Sequence, residues 1–314
     1  MGFLLFLLPV ALLAALVDSG SSDDTAGDAP GEGGDVQKGG AGDNALAGGG
    51  GDDLLAGFAG DDTLTGGGGD DLLVGDTGDD VLSGGDGVDV LLGGSGEDFL
   101  SGGAGTDLLV GGPGEDRLQG DAGDDLLIDF NGSAEMDGGA GNDTLIGLAL
   151  GDDAALFADV TQLEGDAFLS EVEAKFGAQP DTFDRMLLRN VVSPSNEPSL
   201  DTMAGGIGDD LLIGDAGDVM SGGAGADVFS ALTSGAPIEP ADPAFGQVVR
   251  VTDFQIGEDQ VEVQYVGTED VAIGVRAVQG GVMVSTNDVD VMFLAGREAG
   301  QLNPADVLFK RIVI

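Results

Sequence analysis

From Gly39 to Ile146 the chain repeats a nine-residue phrase without slipping. Gly48–Ala56 reads GGGGDDLLA, Gly66–Val74 reads GGGGDDLLV, and Gly102–Val110 reads GGAGTDLLV. The stretch divides into twelve blocks; the fourth position is Gly in all of them, and the eighth is Leu in all but one, Met136. The sixth is Asp except at Asn44 and Ala134. Strict phase over that distance demands a structure with the same repeat.

Within a block the first six residues, as in Gly84–Asp89, read as turn material, because Gly tolerates positive φ and lets backbone segments approach closely. The last three, as in Val90-Leu91-Leu92, suit a very short strand whose middle residue points one way and whose neighbours point the other. One inward Leu per block, stacked at about 4.8 Å per coil, makes a thin continuous core.

The same stacking superimposes carboxylates. The chain carries 58 Asp and Glu against 10 Lys and Arg, for a formal net charge of -48. Such a charge repels phosphates, so nucleic acid is not an expected partner. Like charges about 5 Å apart repel by roughly 1 to 3 kcal/mol per pair at surface dielectrics. A hard cation reverses that sign. Calcium takes six to eight oxygens and mixes carboxylates with backbone carbonyls, which a Gly-rich turn with one Asp supplies. With no His and no Cys, triads, Cys-His pairs and HExxH zinc sites are excluded. A carboxylate-pair hydrolase remains formally available.

The phrase G-G-x-G-x-D-x-U-x resembles the RTX, or haemolysin-type, calcium-binding nonapeptide. The resemblance implies an all-β, right-handed parallel β-roll with two blocks per coil and calcium between stacked turns. It sorts the sixth-position residues into two ladders. One holds Asn44, Asp62, Asp80, Asp98 and Asp116; the other holds Asp53, Asp71, Asp89, Asp107, Asp125 and Asp143. Sites are expected to be weak or absent at neutral Asn44 and in the block Asp129–Asp137, which has Asp at its first position and Ala134 at its sixth.

Positions seven and nine should face outward. On odd blocks they are mostly small or polar, as Thr63 and Thr65; on even blocks they are mostly apolar. Leu54, Leu72, Val74, Val90, Leu92, Leu108, Val110, Leu126 and Ile128 would give one greasy outer face. Soluble monomers rarely leave several hundred Å² of such surface bare. Its expected cover is the apolar N-terminus, the insertion at 147–195, or a second roll, so self-association or cell-surface contact through it is an expectation.

The flanks differ in character. Phe3–Val17 is an unbroken apolar run of 15 residues. It lacks a basic n-region and an A-x-A site, and as a helix it reaches roughly 22 Å against about 30 Å of hydrocarbon. Signal, membrane anchor and docked helix compete for it. Residues 18–38 read as a flexible acidic linker. In the insertion, Phe168, Leu169, Val172 and Phe176 share one face at helical spacing, and Thr182–Val191 suits a second short helix. Repeats resume over 196–230 with Asp201, Asp210, Asp218 and Asp227; the block Gly214–Ser221 is one residue short, so Asp218 is a doubtful ligand and Asp201 a weaker one. Residues 231–314 alternate as strands. Val251-Thr252-Asp253-Phe254 with Gly257-Glu258-Asp259, and Leu294-Ala295-Gly296 with Leu302–Phe309, resemble the segment closing the β-roll of secreted RTX proteins, serralysin-type proteases included. That resemblance implies an antiparallel β cap and type I secretion through a C-terminal signal.

Together these features predict a secreted, non-catalytic calcium-binding protein whose repeats fold on meeting extracellular calcium. A calcium-dependent adhesin or surface-layer component is the alternative, and a carboxylate-based hydrolase a remote one, because the 46 residues of 147–192 are too few to enclose a substrate pocket.

Overall fold

The computed structural model describes residues 33–130, 132–148, 200–233, 248–266, 272–287, 289–297, 302 and 307–312. The two proposed helices of the insertion, the apolar run 3–17 and the linker up to residue 32 lie outside them. Among the described residues there is no helix, and none long and apolar enough to cross a membrane.

Among the described residues, successive strands of the repeats alternate between two facing sheets of eleven and twelve strands. Leu72 pairs with Val90 and Leu73 with Leu91, so one coil takes two blocks. Pairing is parallel throughout the repeats, as at Thr63↔Val81 and Leu126↔Thr144. The strands are longer than the sequence suggests. Leu72–Thr77 and Val81–Asp86 run six residues each, through the first three positions of the following block. Those glycines are not turn material, because their backbones pair across coils, as Gly67 does with Gly85.

The eighth-position leucines line the space between the sheets. Leu55, Leu64, Leu73, Leu82, Leu91, Leu100, Leu109, Leu118, Leu127 and Leu145 are all fully buried. The fourth position has its own reason to be Gly. Gly69, Gly78, Gly87 and Gly96 take φ between 120° and 147°, where a side chain is strained. A β-carbon there would also strike the carbonyl of the coil before it.

The first coil begins earlier than the phrase suggests. Val36–Lys38 is a strand paired with Leu54–Ala56, so the end of the expected linker belongs to the sheet. At the other end both sheets continue past the repeats. Gln260–Val266 pairs in parallel with Val228–Thr233 and with Val307–Ile312. Val249–Val251 joins the other sheet, which ends in the antiparallel strands Ile273–Val278, Gly281–Thr286 and Val289–Ala295. The closing segment is therefore parallel as well as antiparallel. Phe254 carries the core on past the repeats, packing edge-on against Phe229 with ring centroids 6.2 Å apart.

Asp253 finishes the last coil. Its carboxylate accepts from the N–H groups of Gly222 and Gly223, at 3.1 and 3.0 Å, and from the Ser221 hydroxyl at 2.8 Å. A coil with nothing stacked on it would leave those donors unpaired.

The two outer faces differ as the block parity predicts, but the greasy one is not open. Val90, Leu92, Leu108, Val110, Ile128, Ile146, Leu148 and Ile213 are at most 3% exposed within a single chain. Leu72, Val74 and Leu126 are half-buried against them, and Leu54 is half-buried too. The centre of that face is thus closed within a single chain. The opposite face keeps polar contacts between coils, including an Arg117–Glu135 ion pair.

Candidate metal centre

Each sixth-position carboxylate enters the turn between sheets and splits into two differently used oxygens. Oδ1 accepts the main-chain N–H of the sixth residue one coil earlier. Asp53 donates to Asp71, Asp71 to Asp89, Asp89 to Asp107 and Asp107 to Asp125 at 2.8 to 2.9 Å. On the other ladder Asp62 donates to Asp80, Asp80 to Asp98 and Asp98 to Asp116 at 2.7 to 2.9 Å. The insertion leaves the columns intact. Ala134 donates to Asp201 and Asp143 to Asp210 across 67 residues instead of 18.

Oδ2 is the unusual atom. In Asp53, Asp62, Asp71, Asp80, Asp89, Asp98, Asp107, Asp116, Asp125, Asp143 and Asp210 it is buried with no hydrogen-bond partner. All of these residues are at most 3% exposed. An unpaired buried carboxylate oxygen is costly unless something cationic meets it. It lies under the first-position glycine of its own block. At Gly102, the place of a missing β-carbon is 2.5 Å from Asp107 Oδ2 and 2.9 Å from the carbonyl oxygen of Gly120, one coil on. The same pair recurs at Gly93, with Asp98 Oδ2 at 2.5 Å and the Gly111 carbonyl at 2.9 Å. A carboxylate oxygen and a main-chain carbonyl converge where only Gly leaves room.

This donor set fits a hard divalent cation, because calcium accepts single carboxylates mixed with carbonyl oxygens. Among the described residues no three acidic, His or Cys side chains gather at one point. The sites are built from one carboxylate and backbone, not from a carboxylate cage. Asp107 and the Gly120 carbonyl, with their equivalents in other coils, are the groups that would hold calcium.

Electrostatics agree. Burial raises Asp71, Asp80, Asp107 and Asp143 to about 6, Asp89, Asp98, Asp116 and Asp210 to about 7, and Asp125 to about 8. The accepted N–H partly offsets this, while neighbouring carboxylates of the ladder raise most of them further. Asp62 and Asp227 are raised for the same first reason.

The doubtful ligands differ from one another. Asn44 offers its amide oxygen to Gly40 N–H at 2.6 Å and brings no charge. Asp201 is buried in its column and donates its N–H to Asp218 Oδ1 at 2.9 Å. Asp218 also spends its second oxygen, on Asp215 N–H at 2.8 Å, because the short block tightens the turn beneath it. Burial, Asp201 and Asp215 push it up to about 9. Asp227 accepts from Asp210 N–H at 3.1 Å.

Two members escaped the sequence reading. Asp35 donates to Asp53 Oδ1 at 2.5 Å and has a buried, unpartnered Oδ2; it stands nine residues before Asn44, but Gln37 in place of Leu hides the block. Asp259 accepts from Asp227 N–H at 3.2 Å and from Gln255 N–H at 2.5 Å. Its signal was Gly257-Glu258-Asp259-Gln260-Val261, positions four to eight of the phrase, with Gly257 at φ 90°.

No curated protein matches the chain. Among solved structures, the extracellular lipase LipA from Serratia marcescens matches at 14% identity and a TM-score of 0.22. That match covers 76% of this chain and 45% of the lipase, so the chain spans less than half of the lipase's length. A likeness this distant bears on neither fold nor activity. The model of the RTX calcium-binding nonapeptide repeat matches residues 38–73, 65–100, 101–128, 128–149 and 200–229. The two repeat blocks of this chain are RTX calcium-binding nonapeptide repeats, and they wind into a β-solenoid.

Proposed function

We propose that this is a secreted, non-catalytic protein whose β-roll folds when its repeats bind extracellular calcium, after export by type I secretion. The observation that carries the reading is the buried, unpartnered Oδ2 repeated from coil to coil beside a glycine cradle. Without a cation the fold must bury these carboxylates against one another, and Gly-rich chain gains much entropy by unfolding. In low calcium the repeats stay unfolded and fit for export. Outside the cell, calcium near 10⁻³ M fills sites of extracellular affinity, and binding energy becomes folding energy. Export rests on the RTX character of the repeats and on the closing segment around Asp253 and Asp259. The absence of His and Cys supports a non-catalytic role.

Far-UV circular dichroism tests this directly. In excess chelator the chain should be mostly coil, and β signal should appear as calcium reaches the millimolar range. Native β signal persisting in chelator would overturn the reading.

A further inference from the structure

One coil departs from the pattern. In most coils where Gly stands at the first position of two stacked blocks, the second oxygen beside the cradle is the carbonyl of the later Gly, as Gly111 provides at Gly93 and Gly120 at Gly102. At Gly111 the residue one coil on is Asp129. There the place of the missing β-carbon is 2.5 Å from Asp116 Oδ2 and 2.9 Å from Asp129 Oδ1. A side-chain carboxylate has taken the position of a backbone carbonyl.

Both residues are buried, Asp116 at 3% exposure and Asp129 at 0%. Asp116 Oδ2 points into the cradle with no N–H donor on it; the two carboxyls are close enough to share a proton when one of them is protonated, and when both are ionised they are acceptors only and face one another unbridged. The same block lacks its sixth-position acid, since Ala134 stands there. The carboxylate lost at 134 thus reappears five residues earlier and reinforces the preceding site. A surface cleft bordered by Glu97, Asp98, Glu115, Asp116, Arg117 and Glu135 opens alongside; Arg117 is paired with Glu135, and the remaining carboxylates give a cation a negative approach.

Resting on the calcium reading above, we propose that Asp116 and Asp129 form a two-carboxylate calcium site, the tightest in the roll and the first to fill. Calcium affinity in oxygen sites rises with the number of charged ligands and with rigidity. This site has two where its neighbours have one, both fixed in buried backbone. It would anchor the last third of the first repeat stretch, where the ladder is otherwise broken at Ala134.

The test is calcium titration of the chelator-stripped full chain by calorimetry in competition with a chelator, comparing Asp129→Asn, Asp129→Gly and, as a control outside the ladders, the exposed Asp86→Asn. Asp129→Gly restores the residue other coils carry, so it keeps the fold even if Asp129→Asn does not; dichroism at saturating calcium checks both. The tightest calcium should weaken by roughly tenfold in either Asp129 variant, the order expected from losing one charged ligand, and stay unchanged in Asp86→Asn. The proposal is overturned if the Asp129→Gly titration superimposes on that of the unaltered chain, or if Asp86→Asn weakens the first ion equally. If the unaltered chain binds no calcium at all, the broader calcium reading fails instead.

Discussion

Oδ2 of Asp107 lies 2.5 Å from the point that a β-carbon on Gly102 would occupy. The carbonyl of Gly120 stands 2.9 Å from the same point. Gly102 is thus a glycine for want of room beside two oxygens. A methyl group there would push both donors apart and fill the cradle.

Gly102→Ala should therefore lower the calcium stoichiometry and move the folding midpoint to higher calcium, measured by calorimetry and dichroism. Gly68→Ala is the matched control, because a β-carbon at Gly68 meets nothing within 4 Å. Equal behaviour of the two variants would exclude the cradle as a binding element.

Acid should mimic calcium in part. Burial raises Asp89 and Asp98 from 3.8 to about 7 and Asp125 to about 8, so the folded roll binds protons more tightly than the unfolded chain. The stability these groups contribute is complete below 3.8 and is lost as pH rises through about 7 to 8. In chelator, β signal should accordingly grow as pH falls from 8 toward 4, and the calcium needed for half-folding should change with pH across that window. A metal-free chain that gains order on raising the pH would contradict this.

The closed apolar face predicts unequal penalties for one kind of substitution. Leu108 is fully buried while Leu72 is half-buried. Lys at position 108 must bury an unpaired ammonium, whereas Lys at 72 can extend its charge to water along its own stem. Leu108→Lys should cost about 3 kcal/mol or more, and Leu72→Lys about 1 kcal/mol or less. Denaturant melts at saturating calcium measure both. Small losses at both positions would mean that the face is open to solvent.

Much of the site was legible early because a repeat constrains itself. One extra residue in Gly48–Ala56 would turn Leu55 outward and lift Asp53 out of its column, so period, core and ladder are written together. Asp35 and Asp259 were harder to see, since each keeps only part of the phrase. Gln37 stands where Leu should, and the chain between Asp227 and Asp259 departs from the period. Membership there is set by the coil each residue stacks on, which neighbours in sequence do not encode.

The sequence by itself determined the nine-residue period, one inward leucine per block and carboxylates in fixed phase with it, while the two-block coil and its two ladders came from the resemblance and are set by the parallel pairing of every second strand. Only the tertiary structure decided how each oxygen is used. It showed that Oδ1 of Asp107 is taken by Asp89 N–H while its Oδ2 is left to the cradle. It showed Asp218 spending both oxygens on backbone, and Asp129 standing in for a carbonyl. The reason is physical. A periodic pattern fixes which residues lie above one another, but hydrogen bonding at a buried carboxylate depends on ångström-scale contacts between coils at least 17 residues apart.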